Sequence, residues 1–137
     1  LFNPEESIDF HGFTGPFIQY THARIKSILR KTGSAANEKL VHTTENEPWF
    51  SEERELAKLV ELFPSVIEEA ALQHDPSQIA IYVYQVAKTF NSLYAAHSIA
   101  GADTAILKIR RLQLAELTAQ VIKTGMQLLG IAVPERM

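Results

Sequence analysis

Arg111-Leu-Gln-Leu-Ala-Glu-Leu-Thr-Ala-Gln-Val-Ile-Lys-Thr-Gly-Met-Gln-Leu-Leu-Gly-Ile-Ala-Val-Pro-Glu-Arg-Met137 is the stretch whose reading decides the fold. Leu114, Leu117, Val121, Met126 and Leu128 recur near helical spacing, and no proline interrupts them. The first two thirds therefore read as one amphipathic helix with those residues on its core stripe. Gly130 stands where a helix closes on a left-handed residue, and Pro134 keeps it from resuming. A free apolar end frays. A helix stop followed by a short defined tail predicts that the tail docks on the rest of the chain.

Upstream of that helix, the punctuation divides the sequence into further helices. Asp75-Pro76 is a restart signal, so a helix is expected from Pro76 to about Ala96, with Ile79, Val83, Val86, Phe90 and Leu93 inward. Gly101 and Asp103 separate it from the last helix. Another helix starts at Ser51, with Glu52 and Glu53 in the first turn, where the helix dipole favours acids. Leu56, Leu59, Val60 and Phe63 form its stripe, Pro64 breaks it, and a short helix follows from about Ser65 to Gln73. The first helix begins near Thr14 to Pro16, capped by Thr14 or Gly15, and stops at Gly33. Residues 1–14 read as a lead-in bent at Gly12-Phe-Thr-Gly15, and Thr32 to Pro48 as a long polar loop. No stretch alternates with period two for long enough to make a strand. The expected architecture is all-α, an antiparallel bundle of about five helices.

Composition narrows the function classes. With 137 residues and 46% hydrophobic side chains, the chain has the length of one domain and enough material for a core. No run approaches the roughly 18 apolar residues of a membrane span, and no signal-peptide pattern opens the chain. The chain starts at Leu1 instead of Met, as a piece of a longer protein does. Without cysteine there is no disulfide and no cysteine-ligated metal, which fits a cytoplasmic protein. No P-loop, no His-Glu-x-x-His and no Glu-x-x-His pair is present, so neither nucleotide hydrolysis nor a bundle metal site is indicated.

The net charge of −3 hides an uneven distribution. Between Glu45 and Asp75 nine acids face two bases, whereas the remainder holds seven acids and eleven bases. Arg24, Lys26, Arg30 and Lys31 cluster with no acid among them, as do Lys108, Arg110 and Arg111. An acidic patch beside basic ones suits docking one structured RNA in one orientation. Charge clusters of this kind are also ordinary solvated faces, and Arg30 and Lys31 also suit a helix C-terminus.

On the first helix, Ile18, His22, Ile25 and Leu29 share the core face. Phe17, Tyr20, Arg24 and Ile28 share another face, about a quarter-turn away, with Lys31 near its end. Aromatic rings beside a guanidinium are what stacking on unpaired bases requires. The same pattern arises when both rings pack in the core and Arg24 is a surface charge.

Two motifs resemble one family. Leu128-Leu-Gly130 with Pro134-Glu-Arg-Met137, and Gly12-Phe-Thr-Gly-Pro-Phe-Ile-Gln-Tyr-Thr-His-Ala-Arg24, look like the C-terminus of arginyl-tRNA synthetases and the junction where their anticodon-binding domain begins. The resemblance implies a helical domain over residues 15–137 that grips the anticodon stem-loop of an arginine tRNA. It also implies a catalytic domain preceding residues 1–14 in the same protein, using ATP with Mg, and no cofactor in this chain. The family's two ATP-binding motifs are missing here. Carried over by motif, Tyr20 and Arg24 face the anticodon loop, and Phe17 stands where relatives often have tyrosine. Tyr94, in Asn91-Ser-Leu-Tyr94, lies against a base, His97 follows one turn later, and Met137 lies beside the anticodon. Lys26 and Lys31 join Arg24 in neutralising phosphates, and Arg111 is expected in a structural ion pair. The competing reading is a helical protein-interaction module working through the acidic face of residues 52–69, or the anticodon domain of a sister synthetase.

Overall fold

A computed structural model of the chain describes residues 15–33 and 47–137. The expectations for the lead-in, the Gly12–Gly15 bend, the Thr14 cap, most of the Thr32–Pro48 loop and an exposed apolar patch at Ile8, Phe10 and Phe13 lie outside those residues.

Five helices and no strand are found among the described residues: α1 (Gly15–Thr32), α2 (Ser51–Glu61), α3 (Phe63–Leu72), α4 (Ser77–Ala96) and α5 (Ala105–Leu128). Gly33 stops α1 at φ +65°, as the sequence predicts. Helix α4 begins at Ser77, just past Pro76. The Asp75 carboxylate accepts from the Ser77 N–H at 3.1 Å, satisfying a helix-start donor. Thr104 caps α5 by accepting from the Leu107 N–H at 3.2 Å. At the other end of α5, Ile131 N–H donates to Met126 O and Gly130 N–H to Gln127 O, both at 2.9 Å, and Gly130 has φ +77°. This pair of bonds with a left-handed glycine turns the chain off the helix axis.

Phe63 departs from expectation. Pro64 does not merely break α2; it sits in the first turn of α3, where its missing N–H leaves nothing unpaired. Helix α2 therefore ends at Glu61, and Phe63 opens α3, its ring stacked on Tyr82 at 5.7 Å. The Tyr82 hydroxyl, buried and donating to Leu59 O at 2.6 Å, has its pKa pushed up to about 12 by burial.

The core lies between α4 and α5, with α1 and α2 against both. Val83, Val86, Phe90 and Leu93 of α4 and Leu112, Ala115 and Ile122 of α5 are fully enclosed, with Leu56 of α2 and Ile25 of α1. Contact is tightest at Gly125, where an added Cβ would lie 2.5 Å from Val83 Cγ2. Leu117 and Leu128, expected on the core stripe, are exposed. The buried surface of α5 is a broad arc through Leu107, Leu114, Thr118, Ile122 and Met126, and these two leucines fall just beyond its edge.

Candidate nucleic-acid interface

The tail after α5 runs back along α1. His22, only 1% exposed, holds it from below: Nδ1 donates to Pro134 O at 2.8 Å. The Gln19 amide donates to Ala132 O at 2.9 Å and the Arg30 guanidinium to Glu135 O at 3.1 Å. Three side chains spaced along one face of α1 thus grip three tail carbonyls. The expected docking of the tail is found, and α1 is the element that receives it. Burial pushes the His22 pKa below its usual 6.5, with Lys26 and Lys123 adding to the effect while the Pro134 carbonyl and Glu135 oppose it. The ring is therefore neutral, and its Nε2 is buried with no hydrogen-bond partner among the described residues.

Docking the tail closes a cleft of about 450 Å³ against α1 and the end of α4. Its walls include Tyr20, Arg24, Ser27, Ile28, Lys31, Tyr94, Arg136 and Met137. A second groove of about 380 Å³ adjoins it across Ile28, Lys31 and Tyr94, and is lined further by His97, Ser98 and Ile99. Of the eight residues that the sequence points to for RNA contact, Tyr20, Arg24, Lys31, Tyr94 and Met137 meet in the first cleft, and His97 lies in the second.

Phe17 stands apart. Its half-buried ring packs against Tyr84 at 5.7 Å, and it lines neither cavity. Lys26 likewise lines neither.

Arg24 occupies the centre. Its guanidinium carbon lies 4.9 Å from the Tyr20 ring centroid and 4.7 Å from that of Tyr94, so it is held against two π-faces. Its Nη1 donates to Asn91 Oδ1 at 2.6 Å. Tyr94 rests in turn on the fully buried Phe90, centroids 6.3 Å apart. Tyr20 is 49% exposed, Tyr94 43% and Met137 71%, so the rings and the thioether are open to a ligand.

The cleft is positive. Arg24, Arg30, Lys31 and Arg136 line it, no acidic side chain does, and among the described residues none of these four makes an ion pair. Charge without a fixed counter-ion, beside exposed rings, can neutralise a phosphate and stack an unpaired base. Arg136 is not marked out by the sequence, because nothing in the tail's own pattern shows which side chain turns inward. Asn91 gains its place from a bond to Arg24 that joins two different helices, which no local pattern displays.

Within the acidic stretch Glu52 and Glu53 are engaged, whereas Glu55, Glu61, Glu68 and Glu69 are exposed. Glu53 is fully buried, accepting from the Phe50 N–H at 2.9 Å and from Arg111 Nε at 3.2 Å, with Arg110 at 3.5 Å. Arg111 thus makes the structural ion pair expected of it. Glu52 lies 3.0 Å from His97 Nε2, and that hydrogen bond holds its carboxyl below the usual carboxylate range. His97 also packs on Phe50 at 4.7 Å. Among the described residues no group of three histidine or carboxylate side chains is placed to hold a metal, and no helix is long and apolar enough to cross a membrane.

The family described as the DALR anticodon binding domain matches residues 18–137. A protein of Flavobacterium psychrophilum named arginine–tRNA ligase is 50% identical over 137 residues, which are 100% of this chain and 22% of that protein. A second arginine–tRNA ligase, from Amoebophilus asiaticus, is 48% identical over 100% of the chain and 23% of its own length. Among solved structures, the arginyl-tRNA synthetase of Thermus thermophilus superposes with a TM-score of 0.80 at 33% identity, covering 99% of this chain and 23% of that one. The chain thus spans between a fifth and a quarter of the length of the relatives it matches.

Proposed function

We propose, from the premise that this chain belongs to the DALR anticodon binding domain family, that it is the tRNA-reading part of an arginine–tRNA ligase and grips the anticodon stem-loop of an arginine tRNA. The observation that carries this reading is the cleft itself: four bases without an acid, around two exposed tyrosines and a methionine. In this reading Tyr20 and Tyr94 stack on unpaired loop bases, Arg24 binds a base edge or phosphate between them, and Lys31 and Arg136 neutralise the backbone. Met137 is the flexible apolar wall of the cleft. His97 serves the adjoining groove, where a flanking nucleotide would pass. Phe17 acts one step removed, by packing α1 on α4, and Lys26 adds to the field of the helix.

The domain begins at residue 15, and residues 1–14 lead in from a catalytic domain of the same protein. That domain would carry the ATP- and Mg-dependent activation of arginine, in the cytoplasm. The likeness to the ligases named above supports this assignment.

Binding of the chain to an arginine anticodon stem-loop, and to one with the middle anticodon base replaced, tests the reading at fixed salt. Preferential binding of the first is expected. Tyr20→Ala is expected to weaken it by about 1–3 kcal/mol, the contribution of one stacked base. Deleting Met137 should lower the preference as well. Weak and equal binding to both loops would return the chain to the protein-interaction reading.

A further inference from the structure

We propose that Asn91 is the positioning residue that presents Arg24 to RNA, an assignment whose functional half rests on the reading above. Asn91 lies on α4, three residues before Tyr94, and reaches across to α1. Its amide nitrogen donates to Thr21 Oγ1 at 2.9 Å and to Ala87 O at 2.8 Å. The Thr21 hydroxyl spends its own proton on Phe17 O at 3.0 Å, so toward Asn91 it is an acceptor only. A carbonyl is an acceptor always. A flipped amide would point its oxygen at two acceptors, so the orientation is settled by chemistry. Asn91 Oδ1 therefore faces Arg24 Nη1 at 2.6 Å.

The choice of a neutral acceptor matters. A carboxylate would orient the guanidinium equally well but would cancel its charge, as Glu53 does for Arg110 and Arg111. An apolar side chain would leave the Arg24 guanidinium held only by the two rings and by a long 3.4 Å bond to the Tyr20 hydroxyl, with more freedom to be lost when RNA arrives. Asn91 fixes the group between Tyr20 and Tyr94 and leaves its positive charge available. The relay from Phe17 O through Thr21 and Asn91 ties that position to the backbone of α1 itself.

The test is a double-mutant cycle on stem-loop binding, combined with the NMR order parameter of the Arg24 Nε–H bond in the free protein. Asn91→Ala is expected to weaken binding about tenfold, the order of one charge-assisted hydrogen bond. It should add nothing in an Arg24→Ala background, and it should lower the Arg24 order parameter. Thr21→Val, which removes the relay and keeps the Asn91 side chain, should act in the same direction and more weakly, again only while Arg24 is present. A structural role alone would give additive losses in the cycle and an unchanged Arg24 order parameter; either result overturns the proposal. Should the unaltered chain fail to bind the stem-loop, the functional reading falls, and the NMR measurement still decides whether Asn91 positions Arg24.

Discussion

At the start of α2, Arg110 lies over the Trp49 ring at 4.5 Å and Arg111 over Phe50 at 5.4 Å. In the cleft, Arg24 lies between Tyr20 and Tyr94 at nearly the same distances. The two sites use one chemistry, a guanidinium on aromatic faces, and differ in a single partner. Glu53 stands beside the first pair of arginines, fully buried, and an uncharged amide stands beside the third. With the carboxylate the arrangement is closed: Arg110 also donates to Glu47 O and Pro48 O, at 2.7 and 3.1 Å, and Arg111 reaches Ser98 O at 2.7 Å. Without it the charge stays uncompensated and faces solvent. The lesson is that an arginine–aromatic pair does not by itself mark a binding site; the nearest anionic group decides.

Breaking the closed site should give the largest effect. Glu53→Ala leaves two buried arginines without their counter-ion and should cost about 3–5 kcal/mol of folding stability, read by chemical denaturation. Stem-loop affinity of the folded protein should be preserved. A loss of affinity at unchanged stability would mean that the two sites are not separate.

At the open site, Arg136→Ala should weaken binding to every stem-loop alike. It should reduce the slope of log K against log salt by about 0.7, the value for one phosphate contact on a single strand. An unchanged slope would place Arg136 outside the RNA path.

The smallest effect concerns the latch between tail and α1. Because the folded His22 pKa lies below 6.5, the unfolded chain takes up its proton first as the pH falls. The stability that neutral His22 contributes is fully present above about pH 6.5 and is lost progressively as the pH drops below that value. His22→Gln, whose amide can still donate to the Pro134 carbonyl, should flatten the dependence of melting temperature on pH between 7 and the folded pKa. A slope identical to that of the unaltered chain would show that some other group titrates.

These contrasts also show what the sequence made legible. Helix number and order and the stops at Gly33 and Gly130 are local matters of capping and periodicity, and they are legible in the sequence; that the tail docks follows from its defined stop, but the helix that receives it does not. Helical spacing together with the family resemblance points to Tyr20, Arg24 and Tyr94, and these three line one cleft. The misjudged residues belong to tertiary packing. Leu117 and Leu128 satisfy the helical period yet lie outside the core, because α5 is covered by three other helices and its buried arc follows their placement more than its own pattern. Glu53 reads as part of the acidic face in the sequence, yet it is buried and neutralised by Arg110 and Arg111, nearly sixty residues on. Arg136 and Asn91 were hidden for the same reason: each gains its role from a neighbour distant in the chain.

The grip of α1 on the tail joins residues 113 positions apart, from Gln19 to Ala132. Closing so long a loop is entropically costly unless the helices between its ends have already packed. During synthesis α1 leaves the ribosome long before Ala132, Pro134 and Glu135 exist to be held. A nascent chain could pack much of its helical core and still present only half a cleft. In the proposed reading, a polypeptide cut short before the tail would retain Tyr20, Arg24 and Tyr94 but lack the wall formed by Arg136 and Met137, and is expected to bind tRNA poorly.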